Sequence, residues 1–203
     1  IGTPADADSV LSVGGINPFT TYHTSFSSYG PTNDNRMKPN VCAYGHVIAE
    51  GKRGLHKTQG TSFSSPLIAG FAACVLQLKP ELKCMELFEE IEKSADLYPY
   101  FDYAHGYGVP KASYFFKQSL EQKPSFDFVI NKNEIRIKID SGFISKNEEN
   151  YLYCNLSDEE GAIKKYYVIR VFSEYPFEMN IKENKGLIIK AKYQNYFKTH
   201  KIK

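Results

Sequence analysis

The sequence predicts an α/β domain built on a parallel sheet over residues 1–120, followed by a small all-β, sandwich-like domain over residues 121–203. Three observations carry this. Short β-branched runs near the start, SVLSVGGI at 9–16 and NVCAY at 40–44, lack polar alternation, as strands buried on both faces do. Two helix-length segments then follow in succession, about 62–78 and 82–95. Beyond residue 121 the texture changes to apolar–polar alternation at period two, broken by turn-like clusters.

Between the first two strands, residues 17–38 read as loop, with Gly, Pro, Asn, Ser and Thr throughout. GKRG at 51–54 is a turn. The first helix starts at Ser62 and ends before Lys79-Pro80. In the second, LKCMELFEEIEKSA, the residues Leu87, Phe88 and Ile91 form one apolar face. GYGVP at 106–110 is a turn, and KASYFFKQ after Pro110 suggests a short helix. The boundary falls at EQKPS, near 120–124. FDFVINKN, NEIRIKID, NYLYCNL, KKYYVIRVF, FEMNIKE and GLIIKAK then make a string of about six antiparallel strands. SGFISKNEEN, SDEEGA and KENKG are the turns between them. The Lys-rich end, KYQNYFKTHKIK, reads as a solvated tail.

Composition excludes several classes of function. With 42% hydrophobic residues the 203-residue chain can fill a core, and its net charge of +2 points to neither nucleic acid nor an anionic membrane. The longest apolar run, LIAGFAACVLQL at 67–78, is shorter than the roughly 20 residues a membrane span takes. The chain begins at Ile1 and enters almost directly on a strand-like pattern, which reads as a piece of a longer protein with any export signal upstream. None of its four cysteines forms a CxxC, and no His pair stands at zinc-ligand spacing. Cys42 and Cys74 read as buried thiols acting as small hydrophobes, with a Cys74–Cys84 bridge as the minor alternative. Asp6 and Asp8 lack a full set of hard ligands, so no metal is expected. With no glycine-rich phosphate loop, no cofactor is expected either.

The chemistry concentrates in QGTSFSSPLIAG at 59–70, where a small polar cluster runs into an apolar helix. Ser62 there is either a helix cap or a nucleophile. In the second reading, an oxyanion formed by its attack on a carbonyl lies beside the unpaired N–H groups of the first turn. Gly60 lets the backbone approach a substrate closely. Pro66 is tolerated if it falls within about the first turn. The elbow G-x-S-x-G is excluded, because position 64 is Ser.

GTSFSSPLIAG closely resembles the serine motif G-T-S-x-[AS]-x-P-x-[VI]-A-G of the subtilases, the subtilisin-like serine peptidases. Other segments are similar to that family in the same order: PADADSVLSVGGI at 4–16, FSSYGPT at 26–32, KPNVCAYG at 38–45 and SADLYPYFDYAHGYGVPKASYF at 94–115. The likeness covers about residues 1–118 and looks most like bacterial secreted members carrying an appended β-domain. It implies the C-terminal half of a subtilisin-like three-layer domain and an Asp-His-Ser triad with Ser62 as the third member. The Asp, the His and the oxyanion Asn would lie upstream, in a segment that is the necessary partner of this chain, which alone would be inert. By the same resemblance Gly2, with Thr3 and Pro4 beside it, lies at the base of the S1 pocket. Phe26 lies near the leaving-group side, and Gly60 and Thr61, directly before the nucleophile, are expected to bind substrate. None of the five histidines matches the family's base. The substrate would be protein or peptide and the location secreted, periplasmic or cell-surface. A non-catalytic peptide-binding relative, or a structural role centred on residues 121–203, is the competing reading.

Overall fold

The computed structural model describes residues 1–52, 54–116, 123–145 and 150–203, and the chain folds as two units, residues 1–118 and 119–203. The expected boundary near residue 120 lies outside the described residues.

In the first unit, β1 (Val13–Ile16) and β2 (Val41–Tyr44) pair in parallel, with Val13 opposite Val41 and Ile16 opposite Tyr44. A buried polar network ties the strand starts to the second helix. The Asn40 amide oxygen accepts from the Ser12 backbone N–H and from Lys38 Nζ, both at 2.8 Å, and Asn40 Nδ2 donates to Glu92 Oε1 at 2.8 Å. Burial lowers the Lys38 pKa and raises that of Glu92.

Two helices follow, α1 (Thr61–Leu78) and α2 (Cys84–Lys93). Helix α1 packs Ile68 and Val75 against Val41 and Ala43, and α2 adds Leu87 and Ile91 to the same cluster. The first turn of α2 is closed by Glu86, which accepts from the Lys83 N–H at 2.8 Å. A short 3₁₀ turn, Ala112–Phe115, stands where a short helix was expected.

Only Ser64, Ile68 and Val75 of α1 are buried, while Leu67, Leu76 and Leu78 are exposed. Cys74 is exposed too, against expectation: none of the described residues covers its side of the helix. All four cysteines are free thiols; burial pushes the Cys42 and Cys154 thiols far up, which leaves them unreactive. The apolar run at 67–78 forms part of an 18-residue helix, long and apolar enough to cross a membrane by length and composition. The expectation that the run is too short leaves out residues 61–66, the first six of the helix.

The sequence offered a turn at 51–54. The structure has a whole hairpin, β3 (His46–Gly51) with β4 (Gly54–Gln59), paired from His46↔Gln59 to Gly51↔Gly54.

The described elements of the second unit are strands and two 3₁₀ turns. The strands are β5 (Phe126–Ile130), β6 (Glu134–Ile139), β7 (Tyr151–Ser157), β8 (Ile163–Arg170), β9 (Phe177–Asn180), β10 (Ile188–Tyr193) and β11 (Tyr196–Lys201). They form two antiparallel sheets, ordered β5-β6-β9 and β11-β10-β7-β8. Alternate residues fill its core: Ile135, Ile137 and Ile139 from β6, Leu152, Cys154 and Leu156 from β7, Ile189, Ala191 and Tyr193 from β10. The Lys-rich end is no solvated tail. Gln194, at φ 52°, turns the chain so that 196–201 pairs with β10, and Ile202 is buried behind it.

Candidate active site

Ser62 is the second residue of α1 and is exposed. The helix begins after Gly60, at φ 146° and ψ 154°, with no side chain capping it. The cap reading of Ser62 therefore fails, since Gly60 occupies the cap position. A φ of that value is open chiefly to glycine. Two backbone bonds fix the junction: Gly60 N–H donates to the Gly45 carbonyl at 2.9 Å, and Phe63 N–H donates to the Gly60 carbonyl at 3.1 Å. The end of the hairpin and the start of the helix are thereby held to the residue between β2 and β3, and Ser62 stands at their meeting point.

Pro66 is the sixth residue of α1, beyond the first turn where it was expected. It has no N–H for the carbonyl four residues back, which is that of Ser62. The Ser62 backbone N–H, in the first turn, likewise has no helical acceptor. The serine thus stands where the peptide dipole at the helix start favours negative charge.

The structure brings Gly2 and Thr61 to one small cavity of about 130 Å³, which Gly14, Ser27 and Pro39 also line. A methyl group added at Gly2 would meet nothing within 4 Å, so this side of the cavity is open. Thr3 and Pro4 lie exposed in the turn that follows and are not part of its lining. Phe26 stands apart from that cavity, half-buried with its ring 5.2 Å from that of His46.

Ser64 was read only as part of the motif. It is 0% exposed, and its hydroxyl has no hydrogen-bond partner among the described residues. A buried hydroxyl that bonds to nothing costs stability. We expect Ser64→Ala to hold or raise the unfolding midpoint of the full-length protein. A fall of several degrees on thermal melting would mean that the hydroxyl has a partner in the full-length chain.

A family model for the subtilases, Peptidase_S8, matches residues 1–108. The chain belongs to the subtilase family. It is similar to subtilisin-like protease SBT6.1 of Arabidopsis thaliana, with 36% identity over 95 residues, covering 43% of this chain and 9% of that protein. It is similar also to serine protease AprX of Bacillus subtilis, with 30% identity over 118 residues, covering 47% and 27%. Subtilisin DY of Bacillus licheniformis is 34% identical over 95 residues, covering 47% and 33%. The chain therefore spans a third or less of each of these relatives. They come from a plant and from bacilli, so they do not narrow its source to bacteria.

No histidine of this subtilase chain hydrogen-bonds to the Ser62 hydroxyl among the described residues. His105, read only as a turn residue, is buried against Asp102, with Nδ1 3.1 Å from Oδ1. Asp102 Oδ1 also accepts from the backbone N–H groups of Ala104 at 2.9 Å and His105 at 2.7 Å. The pair locks the closing turn. The ring of His23 stacks on Tyr29 at 3.9 Å and meets His105 edge-on at 6.4 Å.

Burial, and then the charge of His105, hold the His23 pKa below 6.5, with Asp102 pulling the other way. Near and below that value the unfolded chain binds more protons at His23 than the folded one, so stability rises with pH there. We expect the full-length subtilase to lose stability as pH falls through 6.5 toward the lowered pKa of the folded state. His23→Phe, which keeps the stack on Tyr29, should lose less between pH 8 and pH 5.5 in thermal melts. Parallel losses would remove His23 from the account.

Proposed function

We propose that the full-length protein is a serine endopeptidase whose nucleophile is Ser62. The single observation that carries this is the exposed Ser62 in the first turn of a subtilase helix whose cap is a glycine at φ 146°. In this reading the Ser62 Oγ–carbon bond forms as its proton passes to an upstream histidine. The tetrahedral oxyanion is held by the Ser62 N–H and an upstream asparagine, and the amine departs with the proton. Water then cleaves the ester through the same base. Substrate residues enter the cavity between Gly2 and Thr61, with Thr3 and Pro4 at its rim and Phe26 on the leaving-group side.

The upstream segment, carrying Asp, His and Asn, packs on the uncovered side of α1, which makes that helix a core helix and not a membrane span. This chain alone is inert. Residues 121–203 form an appended, sandwich-like β-domain, and the protein works outside the cytoplasm, a location that rests on the family alone.

The test is fluorophosphonate labelling of the full-length protein with peptide mapping. Such probes react with serines activated by a base and an oxyanion hole. A label on Ser62 supports the reading. No label on a folded, full-length protein overturns it in favour of a non-catalytic peptide binder.

A further inference from the structure

Phe19 is 90% exposed and Ile48 67%, yet both face one cavity of about 460 Å³ that His46, Lys57, Thr58 and Gln59 also line. Apolar side chains so far out of the core are tolerated singly but mark a binding surface when they share a concavity. Phe19 is not loosely placed. Asn17 Oδ1 accepts from the Phe19 N–H at 2.8 Å and from the Thr20 N–H at 3.3 Å, an Asx turn that fixes the loop. Ile48 stands opposite Lys57 and His46 opposite Gln59 in register, which puts these four on one face of the hairpin, and the intervening pair Val47–Thr58 lines the cavity as well. Lys57 forms no ion pair among the described residues. The hairpin pairs with no third strand among them, so both strands present outward main-chain groups.

The last lining residue, Gln59, lies close to Ser62 along the chain. β4 ends at Gln59 and the nucleophile is three residues on. Three Cα steps place Gln59 within about 11 Å of Ser62, the reach of about three extended peptide residues.

We propose that this groove binds the peptide substrate on one side of the scissile bond, seating a bulky apolar side chain against Phe19 and Ile48 and an acidic one against Lys57. The inference rests on the peptidase reading of Ser62. It concerns a surface separate from the cavity at Gly2 and Thr61, whose lining shares no residue with it.

The test is cleavage profiling of the full-length protein with peptide libraries varied at each of four positions on both sides of the cut. The unaltered protein should prefer Leu or Phe over Ser at one position on one side, by about tenfold in kcat/KM. Phe19→Ser and Ile48→Ser should each erase most of that preference. Lys57→Glu should turn a neighbouring preference for Asp or Glu into one for Lys or Arg. Leu55→Ser, on the same hairpin but outside the groove, should change neither. An active protein whose profile is indifferent to the Phe19 and Lys57 changes overturns the proposal and leaves the reading of Ser62 intact. So does a dimer that Phe19→Ser dissociates with no change in profile, which would give the groove to a second copy. Absence of both hydrolysis and Ser62 labelling overturns the reading of Ser62 and this proposal with it.

Discussion

Ser62→Ala in the full-length protein is expected to abolish peptide hydrolysis, with kcat falling on the order of 10⁶-fold, the scale that loss of the nucleophile has in subtilisin itself. The fold should hardly notice. Ser62 is exposed, it caps nothing, and its hydroxyl makes no hydrogen bond among the described residues. Thermal melting should therefore stay within about 2 °C of the unaltered protein, as for a surface substitution. Kinetics on a peptide substrate and a melt on the same preparation check both halves. Hydrolysis that survives at more than about a hundredth of the original rate would remove Ser62 as nucleophile, since the oxyanion hole and binding alone contribute far less.

The opposite pattern is expected at Gly106, which touches no substrate in any reading. Its φ is +61°, and a Cβ there would lie 2.5 Å from both the Pro39 and Asn40 carbonyl oxygens. Those are backbone atoms just before β2, held by the Tyr107 N–H donating to the Asn40 carbonyl at 2.8 Å and by the Asn40 side-chain network. Neither partner can yield without moving the parallel pair on which α1 rests. Gly106→Ala should therefore cost about 3 kcal/mol or more, from left-handed strain and overpacking together. Chemical denaturation of the full-length protein would measure it. Activity should fall only with the folded fraction, leaving kcat per folded molecule unchanged. A loss under about 1 kcal/mol would show that the closing turn is free to shift.

The sequence made the first unit legible where burial is two-sided or the helix signal long. The β1 and β2 runs and both helices stand within a few residues of expectation, because unbroken apolar runs leave few alternatives. The β3–β4 hairpin was not foreseen. His46–Gly51 and Gly54–Gln59 are largely exposed, so no burial writes an alternation into them, and the tip lacks an Asn-Gly signal. The strand 196–201 was missed for a related reason: its lysines dominate the pattern, and its pairing is set by a turn at Gln194 that composition does not announce. Within the site, the position of Ser62 was legible from a motif that needs a glycine and a helix start at fixed spacing. The pairing of His105 with Asp102, the stranded hydroxyl of Ser64 and the cavity under Phe19 were not. Each depends on what the fold brings alongside, and no spacing in the sequence records that.

The hairpin that ends at Gly60 separates two things that loops often confound. Its base is clamped by the His46↔Gln59 pair and by the Gly60–Gly45 hydrogen bond, and its far end lies past Gly51↔Gly54, five pairs away along the ladder. Whatever is done at that end is done outside the clamp. The Gly51–Gly54 turn is thus the natural place to splice in an epitope tag, a fluorophore or a handle for immobilisation, as exposed loop tips accept insertions best. A graft there would report on the protein from a position just upstream of Ser62 in the chain while leaving the geometry of the serine to the clamp.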